Sequence, residues 1–329
     1  SHFQLAIDCY NDCLQGAESL DNKGVDTALV LKKMGEIQMN KLHNYDDAKK
    51  LLLDALEIVR SIQGEDNGAN QNIMTDLVLL IAQAYSSAKD YENSLDYYEE
   101  HIELLESNSP ENEYLLANSL YAMGNIFAGM DDPDFELSIE KLTESLDMKK
   151  KMFGSDDERV ANVVYTLATV YEKAGYYDKA ANSLAEALHS FAKNHNKAGS
   201  IKVYHALGRM KASKVAESIF LPDERSTAIE CYKEALKLRR QIMSLDDIEM
   251  AAILYEYSIL LILNDEHATA LPLLEEALRI QKLKNGLKDV HVANILLKMA
   301  EVHLKQAKYD SSLVCLEQVL FIQSSLDDE

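Results

Sequence analysis

Residues 161–188 read ANVVYTLATVYEKAGYYDKAANSLAEAL, and this stretch decides the fold. Val164, Leu167, Ala168 and Tyr171 fall at i, i+3, i+4 and i+7, the apolar stripe of a helix. Lys173 to Asp178, with Gly175 inside it, interrupts the pattern as a short turn. A second pattern opens at Ala180, with Leu184 four residues on, Ala187 three further and Leu188 next. The stretch therefore predicts an antiparallel helical hairpin, with Ala168 and Ala180 small so that the two helices can approach closely.

The second-helix motif recurs along the chain. A partial copy starts at Ala6, and full copies start at Ala48, Ser94, Ser138, Ala180, Ala228, Ala270 and Ser312, at intervals of 42, 46, 44, 42, 48, 42 and 42. Insertions lengthen loops and leave helices alone, which explains the three longer intervals. First-helix stripes accompany the copies, for example Val78-Ile81-Ala82-Tyr85, Leu120-Met123-Gly124-Phe127, Leu254-Tyr257-Ser258-Leu261 and Leu296-Met299-Ala300-His303. The corresponding small residue is Gly35 in the first hairpin and Gly208 in the fifth.

The expected organisation is a single array over 1–329. It comprises a partial repeat (1–24, second helix only) and repeats at 25–66, 67–112, 113–156, 157–198, 199–246, 247–288 and 289–329. The fifth repeat carries an insertion through Lys214 to Pro222, where Phe220 and Leu221 are expected to pack under a loop. The array begins and ends on a second helix with no polar cap after Leu320, Phe321 and Ile322, so the intact protein is expected to continue or to self-associate through its ends. Ser1-His2 in place of a methionine reads as a tag scar on an excised piece, with no signal peptide.

Composition limits the function. With 33 Lys+Arg against 55 Asp+Glu the net charge is −22, which argues against nucleic acid and against an anionic membrane surface. The best apolar run, Leu77 to Ala82, is too short to span a bilayer, which needs about 20 residues. Only 4 prolines and 12 glycines fit long helices better than sheets. Four cysteines make no disulfide framework, and the expected compartment is the reducing cytoplasm. Cys9, Cys231 and Cys315 each lie three residues after their motif start and read as core thiols rather than ligands; Cys9 and Cys13 lack a second pair for zinc. Second helices end basic, as at Lys149 to Lys151 or Arg239 and Arg240, and the following first helices open acidic, as at Asp156 to Glu158 or Asp246, Asp247 and Glu249. Helix dipoles favour that arrangement, and the lysine run reads as a solvated helix end.

These residues resemble the tetratricopeptide pattern, and the 42-residue spacing is similar to the lengthened repeats of kinesin light chains. The resemblance implies an all-α fold, a right-handed superhelical solenoid of hairpins whose first helices line a concave groove. It also implies which positions face that groove: six and three before the small residue, and one and four after. They are Asn118, Tyr121 and Asn125; Asn162, Tyr165, Thr169 and Glu172; Lys202, His205 and Arg209; Ala252 and Tyr255; Asn294, Leu297 and Glu301; and Lys32 and Glu36 in the first copy. Kinesin light chains carry asparagine three before the small residue, where this chain has Tyr121, Tyr165 and Tyr255, so their cargo specificity does not transfer.

Asparagine is a mediocre helix former, so its return at one helical position needs a reason. Its amide can donate to and accept from an extended peptide, and tyrosine adds a flat apolar face with a polar tip. Lys202, His205 and Arg209 are suited to an acidic ligand residue. The competing reading of all these positions is plain solvated surface. No catalytic constellation, phosphate loop, metal motif or cofactor site is evident. The function expected is a non-catalytic scaffold or adaptor holding a protein or peptide segment, one with basic residues given the acidic field. The alternatives are a sensor module of a larger enzyme or transcriptional regulator, and a self-assembling structural element.

Overall fold

The computed structural model describes residues 2–19, 24–62, 67–106, 112–217, 222–242 and 247–327. Among the described residues there are fifteen α-helices and no strand. A lone helix, α1 (His2–Ser19), precedes seven consecutive pairs. These are α2 (Val25–Ile37) with α3 (Tyr45–Ser61), α4 (Asn67–Ser87) with α5 (Tyr91–Glu106), and α6 (Glu113–Gly129) with α7 (Phe135–Phe153). They continue as α8 (Glu158–Lys173) with α9 (Tyr177–Lys193) and α10 (Lys197–Glu217) with α11 (Pro222–Ile242). The last two are α12 (Ile248–Leu263) with α13 (His267–Asn285) and α14 (Val290–Lys305) with α15 (Tyr309–Asp327). The chain divides into two compact units, Ser1–Met152 and Phe153–Glu329, each with its own apolar clusters. No helix among the described residues is long and apolar enough to cross a membrane.

One steric device recurs in the hairpins. Every motif start, from Ala48 to Ser312, is buried. The large residue four positions later presses onto the small residue of the first helix. A Cβ on Gly35 would lie 2.7 Å from Leu52 Cγ, one on Gly124 would lie 2.6 Å from Leu142 Cγ, and one on Gly208 would meet the Tyr232 ring at 3.1 Å. Where the motif starts with serine, the hydroxyl donates to the carbonyl of that same small residue. Ser94 Oγ reaches Ala82 O at 2.8 Å, Ser138 Oγ reaches Gly124 O at 2.7 Å, and Ser312 Oγ reaches Ala300 O at 3.1 Å. Buried hydroxyls need such partners, so alanine and serine are interchangeable here while larger residues are not.

Gly124→Ala tests the device. Alanine gains about 1 kcal/mol in helix propensity, but its methyl collides with Leu142 Cγ and lies 3.1 Å from the Ser138 carbonyl. The expected net effect is destabilisation by about 1–2 kcal/mol in urea denaturation, as for an overpacked core. Gly129→Ala, on the same helix with only Tyr91 Oη near at 3.8 Å, is the control and should not destabilise.

Several positions depart from the sequence reading. The second hairpin has His101 seven residues after Ser94, where the others carry alanine, serine or valine, and it is buried. Its Nδ1 lies 2.9 Å from Ser119 Oγ on α6, and its Nε2 is buried without a partner among the described residues. Burial pushes the imidazole down to about 4. Cys9 is exposed, not core, whereas Cys231 and Cys315 are buried as thiols. No first helix pairs with α1 among the described residues to impose the hairpin register, and Ile7 is buried on it instead. The expected loop tip at Phe220 and Leu221 lies outside the described residues; α10 and α11 on either side are both 21 residues long. On α15, Leu320 and Phe321 are exposed and Ile322 is buried.

The basic helix ends are not simply solvated. Lys149 is buried, with Nζ 4.9 Å from the Tyr121 ring centre. Arg239 is also buried and binds Asp247 and Glu249. Asp247 is the N-cap of α12 and accepts from Glu249 N. Asp289 caps α14 in the same register, accepting from His291 N and Val292 N while Gln281 Nε2 donates to it at 3.1 Å. Both Arg239 and Gln281 stand eleven residues after their motif starts. One side chain thus ties the end of a hairpin to the capped start of the next.

Candidate functional site

The helix stripe that buries one face of each first helix leaves the opposite face for the expected groove residues. In unit Ser1–Met152 that face is carried by α6. Asn118 and Tyr121 are half-buried and Asn125 is exposed. Asn125 Nδ2 donates to Tyr121 O at 2.8 Å, closing on its own helix. Lys149 covers one side of the Tyr121 ring. On the earlier first helices Lys32 binds Asp76 at 2.6 Å, so this side of α2 and α4 is bridged by charge.

In unit Phe153–Glu329 four first helices contribute. On α8, Asn162 is exposed and its Nδ2 donates to Glu158 O at 3.0 Å; Thr169 Oγ1 donates to Thr166 O at 2.7 Å. The amides of Asn125 and Asn162 therefore each spend a donor on helix backbone, and their Oδ1 atoms remain as acceptors. Each amide keeps its second N–H donor beside the acceptor, so one of the donors expected to face a ligand is committed to the helix itself. Tyr165 is half-buried and Lys202 exposed.

His205 and Arg209 already have acidic partners. Arg209 NH2 donates to Glu172 Oε2 at 2.9 Å and Nε to Glu172 Oε1 at 3.3 Å, linking α8 to α10. His205 Nε2 lies 2.8 Å from Glu256 Oε2, linking α10 to α12, and Tyr232 Oη donates to the same oxygen at 3.2 Å. Burial works against the Glu256 charge, but the His205 and Tyr232 hydrogen bonds and the nearby Arg209 hold its carboxyl below the usual range. Burial also pushes the Tyr232 hydroxyl up, and its ring stacks on Tyr257 with centroids 5.8 Å apart. Of the three basic residues expected to meet an acidic ligand, two already have carboxylate partners within the fold.

A cavity of about 340 Å³ lies further along this unit, between α12, the end of α13 and α14. It gathers three of the expected positions, Ala252, Tyr255 and Asn294, and adds Glu256, His291 and Gln281. The sequence reading missed Glu256. The available signal was its standing as the sole charge in the apolar run Met250 to Leu263, since an acid there must find partners.

Helix after helix packed on its neighbours, with a small-residue seam in each hairpin, defines a helical-hairpin repeat protein. Residues 77–110, the second hairpin, match the family model for the tetratricopeptide repeat. One of the seven hairpins thus carries the tetratricopeptide pattern, within an all-helical fold of TPR-like hairpins. Among solved structures it is similar to a signal transduction ATPase with numerous domains that carries a tetratricopeptide repeat sensor, from Pyrococcus horikoshii. That match has TM-score 0.68 and 14% identity, covering 92% of this chain and 43% of that one. It is similar to a Podosopora anserina putative kinesin light chain with nearly identical TPR-like repeats, at TM-score 0.55 and 16% identity over 67% of this chain and 100% of that one. It is also similar to the Rap conjugation gene regulator of plasmid pLS20 in complex with the Phr* peptide, at TM-score 0.53 and 14% identity over 93% and 97% of the two chains. No curated protein sequence matches this chain significantly.

Proposed function

We propose that this chain is a non-catalytic scaffold that holds a peptide segment of a partner protein on the outward faces of its first helices, in the reducing cytoplasm. The observation that carries the reading is the face opposite the buried stripe on three first helices, α6, α8 and α12, which bears Tyr121, Tyr165 and Tyr255 beside polar residues. Asn118, Tyr121 and Asn125 form the contact set of the first unit. Asn162, Tyr165 and Thr169, Lys202, and then Tyr255 and Asn294 at their cavity, form that of the second. His205 and Arg209 act there as organisers of Glu256 and Glu172 rather than as open cations. The array is read as repeats 25–66 through 289–329, with spacing like that of kinesin light chains. The Rap regulator, held with its peptide, supports the view that such a fold takes peptides. The net charge of −22 favours basic partner segments.

The test uses two variants, Asn118→Ala/Asn125→Ala and Asn162→Ala/Tyr165→Ala, as baits beside wild type in a native lysate, with circular dichroism checking the fold. A partner held by wild type should be reduced by one or both variants, and synthetic peptides tiled over that partner should reproduce the loss. Partners retained equally by all three baits would make these positions solvated surface and end the proposal.

A further inference from the structure

A second cavity lies in the first unit, on the other side of α6 from the expected peptide face. It measures about 620 Å³ and sits between α5 and α7 with α6 as its floor. Its floor residues are Leu116, Leu120 and Met123. At roughly 100° per residue, these three point one way from α6, and Asn118, Tyr121 and Asn125 point the opposite way. The floor runs seven residues, or about 10 Å, close to two helical turns.

Charge surrounds this apolar strip. On the α5 wall stand Glu99 and Glu103, one turn apart and both exposed, with half-buried Ile102 beside them. On the α7 wall stand Glu144, Asp147 and Met148. Four carboxylates face two lysines, Lys141 and Lys151. Lys141 is already bound by Glu140 at 2.9 Å and Glu144 at 3.4 Å. The α7 wall carries as many lysines as carboxylates, so the excess negative charge is that of Glu99 and Glu103 on α5, and an apolar floor beside one acidic wall is complementary to a helix with an apolar stripe flanked by cations.

We propose that the cavity between α5 and α7 docks an amphipathic basic helix of a partner protein, as a second site independent of the peptide-holding face. Half-buried Ile102, Leu116 and Met148, over the buried Leu120 and Met123, take the partner's leucine-type side chains, and Glu99 and Glu103 receive its lysines or arginines. Exposed carboxylates contribute mainly to encounter and orientation, so binding weakens as salt rises.

A fluorescently labelled synthetic helical peptide tests this, with leucines at i, i+4 and i+7 flanked by lysines and binding followed by anisotropy. A second peptide keeps the leucines and replaces the lysines with glutamates. The lysine peptide should bind saturably, and Glu99→Lys/Glu103→Lys should weaken it by about tenfold or more. Asn118→Ala/Asn125→Ala, on the opposite side of α6, should leave it unchanged, so this test stands or falls apart from that of the peptide face. Both substitutions at α5 are exposed, and circular dichroism verifies that the fold persists. Absence of binding, equal binding of the glutamate peptide, or insensitivity to the α5 reversal would overturn the proposal. Light scattering that shows a dimer dissolved by Glu99→Lys/Glu103→Lys would also overturn it, making a second copy the occupant.

Discussion

Phe191→Ala is expected to destabilise unit Phe153–Glu329 by about 3–5 kcal/mol, the range for emptying a large buried aromatic site. Phe191 stands eleven residues after Ala180, the position that joins one hairpin to the next, and it is 1% exposed. Its ring lies against bare backbone at the start of α10. A Cβ on Gly199 would sit 2.4 Å from Phe191 Cδ1, so glycine there is required by the ring. Asn196 Oδ1 fixes the same turn by accepting from Gly199 N at 2.7 Å. The truncation therefore removes the wedge between α9 and α10 and leaves a void that the capped helix start cannot close. A double-mutant cycle sharpens the test. Gly199→Ala should destabilise the wild type by about 1–3 kcal/mol through overpacking. In the Phe191→Ala background the added methyl enters the void, so it should be neutral or stabilising. Urea denaturation followed by circular dichroism measures all four proteins. A loss below about 1 kcal/mol for Phe191→Ala, or additive effects, would show that the ring is not the wedge.

Acidification should weaken unit Ser1–Met152 through His101. Its folded-state value, about 4, lies below the ordinary 6.5. The cause is burial, opposed weakly by Asp76. A histidine held neutral in the fold stabilises fully above the unfolded value, and that stability is lost as pH falls from about 6.5 to about 4 because the unfolded chain takes up the proton first. With 1.4 kcal/mol per unit, the loss is about 2 kcal/mol by pH 5 and about 3 kcal/mol by pH 4. His101→Ala removes the titration and matches the residue used at this position in four other hairpins, Ala55, Ala187, Ala235 and Ala277. The difference in stability between pH 7.5 and pH 5 should therefore shrink by about 2 kcal/mol in the variant. Equal pH dependence in the two proteins would mean that His101 protonates in place. Proton NMR of its imidazole gives a direct check, since the folded protein should show no His101 titration above about pH 5.

The hairpins were legible because their signal is periodic and local. Ala180, Leu184 and Ala187 announce a helix with a small seam by spacing alone, and the turn at Gly175 announces the reversal. The face opposite the buried stripe was equally legible, since a helix that commits Val164, Leu167 and Ala168 to the core presents Asn162, Tyr165 and Thr169 elsewhere. The partners of those side chains were not. Arg209 and Glu172 are 37 residues apart and His205 and Glu256 are 51 apart, and the pairings depend on how neighbouring first helices stack. Lys149 looked like a solvated helix end because three lysines in a row usually are one, and its burial with Nζ over the Tyr121 ring depends on the packing of α7 against α6.

The sequence by itself determined the all-helical hairpin repeat, its small-residue seam and the direction each helix turns its polar face. Those follow from a 3.6-residue period and from which side chains tolerate burial, both properties of a few consecutive turns. Only the tertiary structure decided that Glu256 is shared by His205 and Tyr232, that Phe191 requires Gly199, that His101 is buried against Ser119, and that an apolar-floored cavity opens between α5 and α7. Each of these is a meeting of side chains from separate helices. The angle and distance at which helices pack, which no local pattern encodes, set which atoms meet.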